Sequence, residues 1–434
     1  MNSYGKTASE IFERIRQAIQ AGDIQAGEHL PPVRELAVTL GVNRNTVAAA
    51  YKRLVIAGLA LTQGRLGTVV RAPEQRGEQE GATRSVLLDL ASGNPARNWL
   101  PTPRDVLSDI NYEPHLYGEW PIDRRLQHYA EGDFQADCPA EFQVDITYGA
   151  VDAIERLLSA YVRPGDKVAV EAPCFISSVN ILRLTGMKAL GVPVDEQGMQ
   201  VEALRDALEQ GAQAVLLTPR AHNPTGCSLS ESRAAELREL LAEYPHVLVM
   251  VDDHFALLAQ TPYYSVLPEG HGHWSVIRSV SKGLGPDWRL ALLASSAETS
   301  RRLRLRLAPG TQWVSHWLQS AVAAMLDSEE VQTQLVQASR YYRDCRQVWT
   351  NALQAKRIPV WVDSEGFNLW LPLEADIEST IAALADKGWQ LRGGQAFAPD
   401  GQPCQGLRLT VSTVELAHAV PFAEDLAQVL ASAR

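Results

Sequence analysis

No stretch of this chain is apolar for long enough to cross a bilayer. The longest uncharged apolar runs, such as Val247–Val251, fall far short of the ~18 residues a span needs. Met1–Glu10 lack the apolar centre of a secretory signal. Cysteine is scarce: the five residues, at 138, 174, 227, 345 and 404, form no CxxC pair and leave an odd count. That excludes a disulfide framework or a zinc site and reads as free thiols in a reducing cytoplasm. Internal repeats and low-complexity tracts are absent, and 46% hydrophobic with 21% charged residues excludes a wholly disordered, collagenous or coiled-coil chain. What remains is a globular chain of 434 residues, enough for two or three domains at about 150 residues each.

The net charge of −11 argues against nucleic acid only if it is evenly spread, and it is not. Residues 1–71 hold nine Lys/Arg and five Asp/Glu, a net +4 that leaves −15 for the rest. A basic head on an acidic body is the asymmetry of a DNA-reading module attached to a larger sensor or enzyme. Within the head, Ile11, Ile15, Ala18 and Ile19 share one helical face over 8–21. Pro31-Pro32 opens a short helix carrying Val33, Leu36, Ala37 and Leu40 inward, and Gly41 ends it. Asn43 is placed to cap a third helix reaching about Ala57, with Val47, Tyr51 and Leu54 inward. The β-prone runs 59–62 and 68–71 flank Gln63-Gly64-Arg65-Leu66-Gly67, a small basic hairpin.

Three helices and such a hairpin make a winged helix-turn-helix, whose recognition helix presents its N-terminal residues to the major groove. Those residues are Asn43, Arg44, Asn45 and Thr46, short polar groups and one long cation suited to base edges and phosphate. Arg34 would meet the DNA backbone, and Gly64, Arg65 and Gly67 let the wing approach the minor groove. Residues 72–86 are polar and read as a linker, so the expected division is 1–71, 72–86 and 87–434.

Beyond the linker, strand-like runs (168–170, 214–217, 247–251, 276–279, 290–293) alternate with helical stretches, the pattern of βαβ units and a mainly parallel sheet. Long helices follow about Gln312, then an α+β segment from about Arg357. In a parallel sheet, residues just after the strands gather on one edge, where ligands bind. There the chain places a set of groups suited to pyridoxal 5′-phosphate. Lys282 carries an amine for a Schiff base. Asp252 can hold a pyridine nitrogen protonated. Asn223 can donate to the ring O3′. Gly149 and Ala150 open a helix whose amides can cradle a phosphate. Ser279 and Ser281 add hydroxyls, Arg289, seven residues after Lys282, adds a bidentate cation, and Phe175 can stack on the ring. Each has a bland alternative: a solvated lysine, an Asn-Pro turn, an aspartate capping a helix. The stretch 301–306, with four arginines, reads as a solvated or dimer-facing helix, or more sharply as a second DNA-contacting stripe.

The segment LPPVRELAVTLGVNRNTVAAAYKRLVIAGLA followed by QGRLGTVV resembles the GntR-type winged helix. By position that resemblance implicates Arg34, Asn43, Arg44, Thr46 and the Gly64–Gly67 wing in DNA contact. Ala48 stands where some relatives have an arginine, which thins base readout there. The body resembles fold-type I pyridoxal-phosphate aminotransferases through SGNP (92–95), HLYG (115–118), GAVDAIERLL (149–158), HNPTG (222–226), VDDHFAL (251–257), SVSKGLGPDWRLAL (279–292) and GLRLTVS (406–412). That resemblance makes Lys282 the Schiff-base lysine, Asp252 the pyridine-nitrogen partner and Asn223 the O3′ partner. It makes Gly149, Ala150, Ser279, Ser281 and Arg289 phosphate ligands. It also has Tyr117 reach the phosphate of the neighbouring subunit, and Arg408 take a substrate carboxylate.

Two departures stand out. His254 occupies the position of a tyrosine that tunes O3′, and Ile122 stands where a glycine is common. His254 reads equally as a hydrogen-bonding partner of the cofactor or as a packing residue.

A GntR head on an aminotransferase-like body is the plan of the MocR-type regulators, and the resemblance covers essentially the whole chain. It implies an α/β protein with an N-terminal winged helix and a fold-type I body, a double-stranded DNA operator, and a homodimer with shared sites. A fifteen-residue linker allows each head to lie over its partner's body. The similar branch controls vitamin B6 salvage, which makes pyridoxal phosphate a candidate signal. The competing class is a working aminotransferase with an accessory head. The run Asn43–Thr46 and the basic wing favour the regulator.

Overall fold

The computed structural model describes residues 5–25, 27–57, 59–62, 67–70, 79–81, 85–104, 110 and 112–432, with Ile56 and Leu61 described in their backbone alone. Two compact units emerge, Met1–Gly77 and Glu78–Arg434.

In the first unit, helix α1 (Ala8–Ala21) starts in a capping box. The Thr7 hydroxyl accepts from the Glu10 amide, while the Glu10 carboxylate accepts from the Thr7 amide. Helix α2 (Val33–Leu40) has Pro32 as its N-cap, one position ahead of the first helical turn, and ends at Gly41 in the left-handed region. Helix α3 (Arg44–Ile56) is capped by Asn43, whose side chain accepts from the Asn45 amide at 2.9 Å. Strands β1 (Ala60–Thr62) and β2 (Thr68–Val70) pair antiparallel. Ile11, Ile15, Leu36, Val47, Tyr51 and Leu54 form one apolar core beneath them. This is the winged helix-turn-helix expected from the periodicity.

The second unit opens with the short β3 (Leu88–Asp89) and contains an eight-stranded sheet. Its strands are β4 (Gln143–Thr147), β5 (Lys167–Ala172), β6 (Lys188–Asp195), β7 (Gly198–Met199), β8 (Ala212–Leu217), β9 (Leu248–Asp252), β10 (Trp274–Ser279) and β11 (Ala291–Ser295). They lie in the order β4-β11-β10-β9-β8-β5-β6-β7. β10, β9, β8, β5 and β6 are mutually parallel, whereas β11 runs antiparallel to both β10 and β4. The central strands are buried on both faces, so their sequences are largely apolar, with Ser275 and Arg278 as exceptions within β10. Helices cover both sides of the sheet, forming two apolar clusters.

Long helices His316–Asp327 and Glu329–Ala355 lead to a smaller region. There β12 (Asn368–Leu371), β14 (Arg392–Gly393) and β15 (Leu407–Thr410) form an antiparallel sheet in the order β12-β15-β14, and β13 (Trp389–Gln390) pairs with β3. All five cysteines are free thiols. Among the described residues, no helix is long and apolar enough to cross a membrane.

Candidate functional site

Strand register decides which residues meet. Ser279 at the end of β10 is opposite Ala291 at the start of β11, and Ala291 is opposite Thr147 at the end of β4. The segments Gly149–Ala150, Ser279–Lys282 and Arg289 therefore converge on one sheet edge, although 140 residues separate Gly149 from Arg289. Gly149, with φ +88°, caps the helix Ala150–Tyr161, and a Cβ there would lie 3.3 Å from the Arg289 guanidinium. A helix N-terminus, a cation and bare backbone thus share one small space. Arg289 itself has φ +29° and ψ +50°, a left-handed conformation uncommon for a residue with a Cβ. The Ser279 hydroxyl donates to that of Ser281 at 3.0 Å and accepts from the Ser281 amide at 3.2 Å. Phe175 is half-buried where the chain leaves β5 and enters the helix Ile176–Thr185, at this same edge.

Asp252 ends β9, is buried, and its Oδ1 has no hydrogen-bond partner. Burial, reinforced by Asp253 and Glu171, pushes its carboxyl up to about 7. It caps no helix. A buried carboxylate oxygen without a partner is costly, and a protonated pyridine nitrogen is a donor of the right chemistry for it. Lys282 is half-buried rather than solvated; its amine donates to the Gly93 carbonyl at 3.3 Å and sits over the Phe367 ring. Burial lowers its pKa, against the pull of Glu80, which favours a neutral, nucleophilic amine. His254 is pushed down to about 3 by burial and by Lys282, so its ring is neutral. The Asn223-Pro224-Thr225 segment is a turn, as its composition suggests, and it also delivers the Asn223 side chain into the site.

Two buried ionic networks position these groups, and they were not singled out by sequence. Asp253, wholly buried, accepts from Arg220 Nε at 3.0 Å and from Arg278 Nε at 3.0 Å. Arg278 also pairs with Asp133 and Asp137. Arg220 precedes the Asn223 turn, Asp253 follows Asp252, and Arg278 adjoins Ser279, so one carboxylate ties three site-bearing segments together. In the second network, Glu171 accepts from the Thr218 amide and pairs with His222 at 3.2 Å. Burial opposes charge on His222, but Glu171 overrides it and raises the ring to about 10. A sequence signal existed: Glu171 and Arg278 are charges inside otherwise apolar central strands, where an ion needs a partner.

Arg408 on β15 is fully buried. Its guanidinium donates to Asn223 Oδ1 at 2.9 Å, to the Ala91 carbonyl, and in a fork to both oxygens of Glu80 at 2.5 and 2.9 Å. Glu80 falls within the stretch expected as linker, and a polar linker gives an acidic residue no distinguishing mark. Tyr117 is 86% exposed, with its ring 5.5 Å from that of Trp313. Ile122 is buried.

On the winged helix, Arg34, Asn43, Arg44 and Asn45 are exposed at the start of α2 and α3, with Thr46 half-buried beside them. Neither arginine joins an ion pair among the described residues. Ala48 and Ala49 continue the exposed face of α3. Gly67 enters β2 with φ +93°, which a residue with a Cβ rarely adopts. Gly64 and Arg65 lie outside the described residues. The arginine-rich helix Ala297–Leu307 is largely self-neutralised: Arg301 and Arg302 pair with Glu298, and Arg304 with Asp145. That favours the structural reading of this stripe over a DNA-contacting one.

These two units define a class: a DNA-binding winged helix joined to an aminotransferase-like body. Residues 7–70 match the bacterial regulatory proteins of the gntR family, and residues 90–421 match aminotransferase class I and II. The chain is 50% identical over 427 residues to the vitamin B6 salvage pathway transcriptional repressor PtsJ of Salmonella typhimurium, covering 98% of this chain and 99% of that one. It is 23% identical over 431 residues to the probable rhizopine catabolism regulatory protein MocR of Rhizobium meliloti, covering 90% and 85%. A kynurenine aminotransferase structure from Pyrococcus horikoshii superposes with a TM-score of 0.73 at 22% identity, over 80% of this chain and 91% of that one, a likeness of fold. The chain belongs to the MocR-type transcriptional regulators, with a GntR winged helix and a class I aminotransferase-like body.

Proposed function

We propose that this regulator binds pyridoxal 5′-phosphate and represses vitamin B6 salvage genes as a homodimer, with the cofactor as its effector. The buried, unpartnered Oδ1 of Asp252 carries the cofactor reading. Asp252 would hold the pyridine nitrogen, Lys282 the aldehyde carbon, and Asn223 O3′. Gly149, Ala150, Ser279, Ser281 and Arg289 would hold the phosphate, with Phe175 on the ring and the neutral His254 beside it. Bound there, the cofactor supplies an electron-accepting ring. The pathway is supported by the PtsJ likeness. DNA contact is assigned to Arg34, Asn43, Arg44, Asn45, Thr46 and the wing.

The dimer reading is supported by a group of exposed large apolar side chains in and near the segment that carries Tyr117. Tyr112, Leu116, Tyr117, Trp120 and Trp317 are all exposed, and Tyr112 and Trp317 make an edge-to-face ring contact at 5.9 Å. A second copy would cover them and give Tyr117 a phosphate to reach.

The test is a gel shift on the chain's own upstream DNA, with and without pyridoxal phosphate, beside sedimentation of the same sample. The expected result is a dimer whose DNA affinity changes with the cofactor, and whose visible absorption is lost in Lys282→Ala. Indifference of DNA binding to the cofactor would overturn the effector reading. Full conversion of the bound cofactor to its amine form by amino acids would instead favour a working aminotransferase.

A further inference from the structure

Glu80 has no counterpart in the cofactor chemistry above, yet it is among the most elaborately held side chains at the site. Its carboxylate receives the forked donation from Arg408 and a third hydrogen bond from Asn223 Nδ2 at 3.0 Å. The backbone on either side is clamped to the body. Arg392 donates to the carbonyls of Gln79 at 3.0 Å and Gly81 at 3.3 Å, and the Gly81 amide donates to the Ser92 carbonyl at 2.9 Å. Gly93 supplies the room, since a Cβ there would collide with the carboxylate. Burial works against charge on Glu80, but Arg408 outweighs it and holds the group below the usual carboxylate range, so it is an anion. A planar carboxylate in a guanidinium fork beside an amide donor and within the field of Lys282 has the contacts that a bound carboxylic acid would make.

We infer that Glu80 is a tethered ligand: it fills the carboxylate position at Arg408 and Asn223, and an amino acid or 2-oxo acid must displace it to bind. The inference rests on the reading of Arg408 as the carboxylate-binding cation. In the covalent chain, Glu80 is the third residue of the body, just after the DNA-binding unit ends at Gly77, so one cation is contested by a diffusible ligand and by the segment at which the body begins. By reciprocity, a carboxylate ligand that wins Arg408 loosens residues 79–81, and anything that draws this segment away strengthens the ligand. The competition needs no covalent step.

Two probes separate the carboxylate from the amine. The full-length, cofactor-loaded chain is titrated with L-alanine and with ethylamine, which lacks the carboxylate, following visible absorption. In Glu80→Gln, L-alanine is expected to gain about tenfold or more in affinity relative to ethylamine, because a charge-assisted competitor for the carboxylate is gone; any change at Lys282 acts on both amines alike. An unchanged L-alanine affinity relative to ethylamine would overturn the inference. Hydrogen exchange at the Gly81 amide provides a readout that needs no cofactor. It should quicken in Glu80→Gln, and equal protection in both proteins would count decisively against the tether. A parent chain that takes up no cofactor would defeat the functional reading alone, and the exchange experiment would still decide the fate of Glu80.

Discussion

The two units solve the problem of placing functional groups in opposite ways. The candidate DNA-contacting residues of the winged helix occupy one exposed helical turn, Asn43–Thr46, plus Arg34 and the wing. Their geometry follows from one cap and one helix, and their partner is supplied from outside. The body draws its site from positions as distant as 80 and 408, buries most of them, and compensates their charges internally. A site of the first kind tolerates the loss of one side chain without structural consequence. A site of the second kind is also part of the fold's stability, so the same change there is felt throughout the unit.

The largest effect should fall on Asp253→Ala, which leaves Arg220 and Arg278 buried without their shared carboxylate. The expected cost is ~3–5 kcal/mol of body stability, as for breaking one side of a buried ion pair. All ten tryptophans lie between residues 99 and 389, so denaturant unfolding followed by tryptophan fluorescence reports the body alone. Hydrogen exchange in α3 should be unaltered; if it changes in parallel, the two units are not independent and the contrast fails.

Asp252→Asn sharpens the comparison by moving stability and function in opposite directions. The folded carboxyl titrates near 7, above its ordinary 3.8. The burden of its burial is therefore absent below the ordinary value and grows as pH rises through 7. In cofactor-free protein the asparagine variant should be more stable than the parent at pH 8 by about 1–3 kcal/mol. The gap should narrow as pH falls below 7 and close toward pH 4, and cofactor uptake should weaken. A gap independent of pH would remove Asp252 as its source.

Arg44→Ala should show the smallest structural footprint. DNA affinity should fall, by about 1–3 kcal/mol and in a sequence-dependent way if the contact is to guanine. A phosphate contact would instead weaken all duplexes alike and lower the salt slope by about one. Titration of specific and scrambled duplexes at several salt concentrations distinguishes the two. Body fluorescence and cofactor absorption should not move. Unaltered binding at every salt concentration would mean that α3 does not dock as its exposed face suggests.

Much of the head was legible because its signals are local. The Asn43 cap, the Gly41 stop and the 3–4 spacing of Val47, Tyr51 and Leu54 each act within a few residues. The body's strands were legible too, since sheets buried on both faces leave largely apolar runs. Lys282, Asp252 and Asn223 could be named because they follow such runs at the edge where parallel strands end. The partners of those residues could not be named this way. That Asp253 serves two arginines, that Glu171 charges His222, that Gly149 faces Arg289 and that a carboxylate from residue 80 lies in the fork of Arg408 depend on strand order and register. These juxtapose segments far apart in the chain, and no local pattern encodes the pairing of two charges. Sequence by itself determined the candidates for the chemistry; tertiary structure decided which of them meet, because burial makes each charge's behaviour depend on neighbours that only the folded sheet edge supplies.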